Sequence, residues 1–262
     1  MTPYSKLRKL PQKQGEVWKI DLTEDWLQGR TAYGGIIAAL MLETIYLQIA
    51  DLPPLRTAHF SFIGPASGTL SAHNTILRQG KNMITVESVI SGEKGIGTKA
   101  LFTFGKAIPA ATDQDYPVID QPASPESLPQ LATPPNTPAF LQHIDRRVLK
   151  SAEFLSGTHH PEFLAWIRMN DPEAREGIAV LLALADGPPP AALAAVKSLT
   201  ALSSINWTVN FLRDNPVTQD GWWLIRSKSQ HVRHGYSSQT MQIWNRAGER
   251  VVDAIQHVAI FE

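Results

Sequence analysis

Apolar positions along this chain fall into two rhythms. YGGIIAALMLETIYLQIA, starting at Tyr33, is apolar on nearly every side of a helical projection and opens on two glycines. The stretches that follow it, TAHFSFIGPA, TLSAHNTILRQGKN, MITVESVISGEKG and GTKALFTFG, alternate apolar and polar residues in runs broken by glycine. The pattern predicts one buried helix followed by an antiparallel meander. EGIAVLLALAD starts the same succession again, and INWTVNFLRDNP, GWWLIRSKSQHVRHG, YSSQTMQIWNRAG and ERVVDAIQHVAIF complete it. Phe62 falls on Phe211, Gly80 on Gly235 and Gly92 on Gly248, with a spacing that drifts by only a few residues, so the chain reads as an internal repeat.

Between the two copies lies KAIPAATDQDYPVIDQPASPESLPQLATPPNTP, dense in Pro, Ala, Asp and Ser and without either hydrophobic period, as expected of a linker crossing the outside of the molecule. A helix apolar all round must be buried, and four or five antiparallel strands bury it only by curling around it. The expected fold is therefore α+β, a double hotdog: two repeats of an antiparallel sheet wrapped around a buried helix. Setting the repeats side by side in one long sheet also covers an edge that each would otherwise leave open. The boundaries expected are residues 1–105 for the N-terminal repeat, 106–140 for the linker and 141–262 for the C-terminal repeat.

Composition excludes several functions. The chain has 24 basic and 24 acidic residues and no run of like charge, so neither a nucleic-acid surface nor a polybasic membrane surface is indicated. It has no cysteine, which removes disulfide frameworks, cysteine metal sites and thiol nucleophiles together. The basic start MTPYSKLRKLPQKQG is not followed by the apolar core of a signal peptide, and no run reaches the length of a membrane span. The expectation is a soluble, cytoplasmic protein whose partner is a small molecule or a protein, without membrane insertion, and a homodimer is the preferred assembly.

Three polar residues interrupt apolar patterns in the second repeat. Gln256 stands in the row Val252, Ala254, Gln256, Val258, Ile260, the face of the last strand that looks pressed onto a core. The repeat spacing sets Val258 on Phe102, Ile260 on Phe104 and Gln256 on Ala100, so an amide occupies a position that is apolar in the other copy. Satisfaction by a backbone carbonyl at a sheet edge would also account for it. Asp186 ends the apolar run LLALAD, where desolvation would raise its pKa and strengthen it as a base. It also reads as simple helix termination ahead of Gly187 and three prolines, and IADLPP offers Asp51 as a loose counterpart. Ser203 and Ser204 precede INWTVNF at a strand entrance, where paired hydroxyls commonly serve their own backbone.

These segments resemble the acyl-CoA thioesterase II group of double-hotdog thioesterases. YGGIIAA, HFSFIGPASGTL and ILRQGKN carry the resemblance in the first half, and LADGPPP, VNFLR, HGYSSQTMQIWNRAGERV and AIQHVAIF in the second. It covers both halves in order and leaves out mainly the linker. The resemblance implies hydrolysis of a fatty acyl-CoA, without cofactor or metal, by a water that Asp186 activates and that Ser204 and Gln256 hold. Apart from the resemblance, backbone N–H groups at the first turn of the buried helix suit a developing oxyanion, and Gly34 and Gly35 would permit its close approach, although those glycines belong to the other repeat and would equally serve close helix packing. A serine stands where the family usually has threonine, which leaves Ser203 as a substitute for Ser204.

Other signatures fail on context. GPASG lacks the first glycine of a nucleophile elbow, and GIGTKA leads into a strand rather than a helix. His231 and His234 fall on opposite faces of an extended segment, and His159 and His160 are neighbours in a polar loop, so neither pair reads as a metal site. Two alternatives stay open: a non-catalytic acyl-thioester-binding protein, and an enoyl-CoA hydratase, for which Asp253 and His257 would be a poor acid–base pair. Trp207, Trp222, Trp223 and Trp244 are equally candidates for an acyl tunnel, core packing or a protomer interface.

Overall fold

A computed structural model describes residues 1–114, 119, 122–135 and 137–262. In chain order these form a short helix α1 (Tyr4–Leu7), strands β1 (Gln12–Gln14) and β2 (Val17–Asp21), a small ribbon of β3 (Leu27–Gln28) and β4 (Thr31–Ala32), helix α2 (Gly34–Gln48), and the meander β5 (Leu55–Phe62), β6 (Thr69–Gln79), β7 (Met83–Gly92) and β8 (Gly95–Gly105). The second copy has β9 (Ile144–Ser151), β10 (Glu162–Met169), α3 (Ile178–Ala185), and the meander β11 (Ala201–Phe211), β12 (Trp223–Arg233), β13 (Tyr236–Trp244) and β14 (Arg250–Phe261).

Among the described residues, one twelve-stranded sheet runs β1-β2-β6-β7-β8-β5-β11-β14-β13-β12-β10-β9. The order reads the same from either edge to the centre, so the two copies meet at the antiparallel β5–β11 ladder, where His59 pairs with Thr208. This is the double hotdog: each half-sheet curls round its helix, and the two helices pack on each other. Both helices lack a polar face for the reason their sequences suggest. All eight residues of α3 are buried, as are Gly35 to Ile45 of α2.

The expectation of a helix followed by a meander is incomplete. Each helix is preceded by strands that extend the outer flank of its half-sheet, β1 and β2 in one half and β9 and β10 in the other. Their patterns hide them. In β2 only Trp18 and Ile20 point inward within five residues, and in β10 the buried positions run together at Ala165, Trp166 and Ile167, blurring the alternation.

The linker is more closely fitted than its composition suggests. Residues 115–118, 120, 121 and 136 lie outside the described set. Of the rest, Ala123 accepts the indole N–H of Trp166, Leu128 accepts from Arg147, and the Leu131 N–H donates to Arg146. Ile119 and Leu128 cover Trp166, Trp222 and Trp244, while Trp223 is core and Trp207 stacks on Phe60 at the seam. At its end, the turn Ala139–His143 brings Phe140 flat against Tyr33, with ring centroids 3.8 Å apart.

Candidate active site

The last turn of α3 places the first group. Asp186 ends the helix with φ −91° and ψ 3°, and the Gly187 N–H donates back to the Leu184 carbonyl at 2.8 Å. A side chain at Gly187 would come within 2.9 Å of that carbonyl, so the tight exit requires glycine. The helix-ending and functional readings of Asp186 are thus compatible: the same turn stops α3 and points the carboxyl inward. Asp51, the loose counterpart, is exposed beyond the end of α2, with a left-handed φ of 55°.

Gln256 lies on β14 with its side chain on the concave face, 2% exposed. Its Nε2 donates to Asp186 Oδ1 at 2.7 Å and to Ser204 Oγ at 3.3 Å. Its Oε1 accepts from Gln239 Nε2 at 2.6 Å, and Gln239 Oε1 accepts the Ala191 N–H at 3.0 Å. The backbone-carbonyl alternative for this amide is therefore displaced by a side-chain network.

Ser204 is not at a strand entrance, as its sequence context suggested, but four residues into β11, which starts at Ala201 and pairs with the end of β14. A register shift explains the deception. Ser204 opposes Val258 and Asn206 opposes His257, leaving Ile205 as an extra residue that breaks the period of two. Without that bulge Ser204 would point outward. With it, Ser204 shares the inner face with Val258 and Gln256, and Ser203 takes the outer face opposite Ala259, exposed, with its Oγ turned to the Ser204 carbonyl.

The fourth wall comes from the other half. The Gly35 N–H donates to the Asp186 carboxylate, and a Cβ at Gly34 would lie 2.7 Å from Asp186 Oδ2 and 3.2 Å from the Phe62 ring. Gly34 and Gly35 open α2, whose positive end faces the carboxylate. Belonging to a different repeat is what brings them here, because the two helices meet start to end. Tyr33 fixes that meeting: its hydroxyl donates to the Ala183 carbonyl in the last turn of α3, and its ring stacks on Phe140. One expectation shifts, since the Gly35 N–H is already engaged by Asp186 rather than held open.

Burial dominates the electrostatics. It lifts the Asp186 carboxyl from the usual 3.8 to about 7, against the lowering pull of the donors from Gln256 and Gly35. Desolvation, with the Asp186 carboxylate adding to it, also pushes the Tyr33 phenol well up, so the phenol stays a donor. The result is a buried carboxyl group that titrates near neutrality beside a hydroxyl and an amide donor. Asp253 and His257 lie on other ladder positions of β14: His257 pairs with Ser238 and stacks loosely with Tyr236 on the outward face, away from this cleft.

Gln239, Tyr33 and Phe140 were not anticipated. Gln239 had a signal, since it interrupts the inward row Ser237, Gln239, Met241, Ile243 just as Gln256 interrupts its own. Phe140 had none, arriving from a segment without periodicity.

Comparison with known proteins gives a consistent picture. A family model described as acyl-CoA thioesterase N-terminal domain matches residues 22–105, and one described as acyl-CoA thioesterase C-terminal domain matches residues 122–260. Among solved structures, a conserved hot dog-fold protein of unknown function from Alicyclobacillus acidocaldarius is 18% identical with a TM-score of 0.87, covering 100% of this chain and 99% of its own. The tesB protein of Mycobacterium avium subsp. paratuberculosis is 17% identical with a TM-score of 0.76, over 98% and 97% of the two chains. The acyl-CoA thioesterase II TesB2 of Mycobacterium marinum is 17% identical with a TM-score of 0.74, over 97% and 96%. No curated protein sequence matches the chain.

Proposed function

The chain belongs to the acyl-CoA thioesterase family, a family of thioester hydrolases, and from that premise we infer that it hydrolyses a fatty acyl-CoA with Asp186 as general base. The observation that carries this reading is the Asp186 carboxyl itself: buried, titrating near 7, and hydrogen-bonded to Gln256, which also reaches Ser204. A base poised near the working pH is ionised often enough to act and basic enough to take a proton.

In the proposed reaction a water held against Ser204 Oγ and the Gln256 amide gives a proton to Asp186 as its oxygen attacks the thioester carbonyl carbon. The tetrahedral intermediate carries its negative charge toward the first turn of α2, where the helix dipole favours it. Gly34, without a Cβ, lets the carbonyl come close to the carboxylate. The C–S bond then breaks, the free acid forms, and the proton on Asp186 passes to the departing CoA thiolate. The Gly35 N–H, bound to Asp186 at rest, serves to hold the base, so oxyanion binding falls chiefly to the backbone beside Gly34.

Residues 1–105 and 141–262, joined by 106–140, thus act as one enzyme: one half contributes the helix start and the other the base, hydroxyl and amide. Among the described residues no helix is long and apolar enough to cross a membrane. The test is to mix the purified chain with hexanoyl-CoA and palmitoyl-CoA and follow free thiol. Release by the wild type and not by Asp186→Asn supports the reading; binding of acyl-CoA without release would make the chain a thioester-binding protein instead.

A further inference from the structure

Gln239 lies directly across the β13–β14 ladder from Gln256 and is 1% exposed. The two ends of a carboxamide have nearly the same shape, so what an amide meets decides which way round it sits. Here the row of amides ends on a group whose polarity is certain, because a main-chain N–H only donates. Pro188, Pro189 and Pro190 have no N–H, so Ala191 carries the first one after Gly187. It opens the turn Ala191–Ala194, where no earlier helical carbonyl serves it. Ala191 therefore draws Gln239 Oε1 toward itself and leaves Gln239 Nε2 facing Gln256. Gln256 must answer with Oε1, and its own Nε2 is left toward Asp186 and Ser204. The short segment from Asp186 to Ala191 supplies both ends of this chain of bonds.

We propose that Gln239 is a positioning residue for hydrolysis: anchored on the Ala191 N–H, it locks the Gln256 amide with nitrogen toward the base and the serine. This rests on the assignment of Asp186 as base. Were Gln256 free to turn over, its Oε1 would face the carboxylate oxygen at a distance of 2.7 Å. The donor that favours ionisation would be gone, an acceptor would repel the charge, and Asp186 would ionise only at higher pH. Water would also lose its donor beside Ser204.

Gln239→Met keeps the length and removes both polar atoms. It should move the acid limb of the kcat profile up by about one pH unit and lower kcat about tenfold, with KM within about twofold of wild type. Gln239→Glu keeps the shape. Its protonated carboxyl still accepts from Ala191 and donates to Gln256, whereas its ionised form only accepts, so its activity should fall again as pH rises and the profile become bell-shaped. Folded variants that both retain the wild-type profile overturn the proposal. NMR titration of the Asp186 carboxyl carbon reads the same effect without substrate: a raised midpoint in Gln239→Met supports it, and an unmoved midpoint overturns it. Failure of the reading it rests on looks different: equal thiol release by wild type and Asp186→Asn overturns the base assignment, and no release by either overturns the thioesterase reading.

Discussion

Replacing Asp186 with asparagine should move activity and stability in opposite directions. The folded chain holds this carboxyl at about 7, above the 3.8 usual for aspartate, because burial resists the charge. A carboxyl raised in this way prefers its proton in the folded state, so its contribution to stability is fully present below about 3.8 and is lost as pH rises through about 7. Above that pH the fold carries an ionised group at a cost. A displacement of roughly three units corresponds to about 4 kcal/mol. Asparagine removes the charge but accepts the Gln256 and Gly35 donors less well, which leaves a gain of about 2 to 4 kcal/mol at pH 8. For a chain of this length that is roughly 5 to 15 °C in melting temperature. At pH 4, where both side chains are neutral, the difference should nearly vanish. Hydrolysis should fall on the order of 100-fold or more, since an amide takes no proton from water. Calorimetry at the two pH values, beside thiol release on the same preparation, checks both halves. An equal melting shift at pH 4 and pH 8 would refute the desolvation argument, and wild-type turnover would refute the assignment of the base.

Because only the ionised carboxylate accepts a proton, kcat/KM of the wild type should rise with pH and level off above about 7; a profile flat from pH 5 to 9 would contradict the value assigned to Asp186. Ser204→Ala should lower kcat by about tenfold while Ser203→Ala leaves it unchanged, because the bulge at Ile205 turns only Ser204 inward; the reverse result would show that the register is misread. Gly34→Ala would drive a methyl group to 2.7 Å from Asp186 Oδ2, so turnover measured per folded molecule should drop at least about tenfold. Gln256→Ala removes a donor from the base and also strands Gln239 Nε2, so both the rate and the melting temperature should fall, the latter by about 1 to 3 kcal/mol in stability; an unchanged rate per folded molecule would sink the catalytic role.

The elements that could be read from the sequence are those in which burial is uniform over a long stretch. α2 and α3 are almost wholly apolar, and the eight meander strands keep a period of two except at local bulges such as Ile205, so helix, meander and repeat were all visible. β2 and β10 were not, because a strand of only five residues or a run of consecutive buried residues leaves no alternation to find. The site divides in the same way. Gln256 and Asp186 were legible as polar breaks in apolar patterns, and Gln239 would have been by the same logic. The inward turn of Ser204 depends on one unpaired residue, and the approach of Gly34 to Asp186 depends on how two distant helices meet. Neither is a property of any local window.

The two halves also explain why this network occurs once. A near-twofold sheet offers two equivalent positions for it, and strand pairing identifies their contents. Gln256 faces Trp207 and Gln239 across its two ladders, whereas Ala100 faces Phe60 and Ser88 across the corresponding ones. Where the second half sets two long amides that reach each other and the carboxylate, the first half sets a methyl and a short hydroxyl that reach neither. The helices differ to match. α3 stops after eight residues and releases Asp186 into the cleft, but α2 continues for fifteen, and its one buried carboxyl, Glu43, is taken up by Tyr4 and Arg8. A buried amide without partners costs about 1 to 3 kcal/mol, so each polar residue of the network is tolerable only with the others present. Ala100 at 3% exposed and Gln256 at 2% occupy equally buried positions and differ only in whether partners exist. The network is therefore an all-or-none feature, and the half without the partners supplies the apolar core and the glycines beside its neighbour's carboxylate.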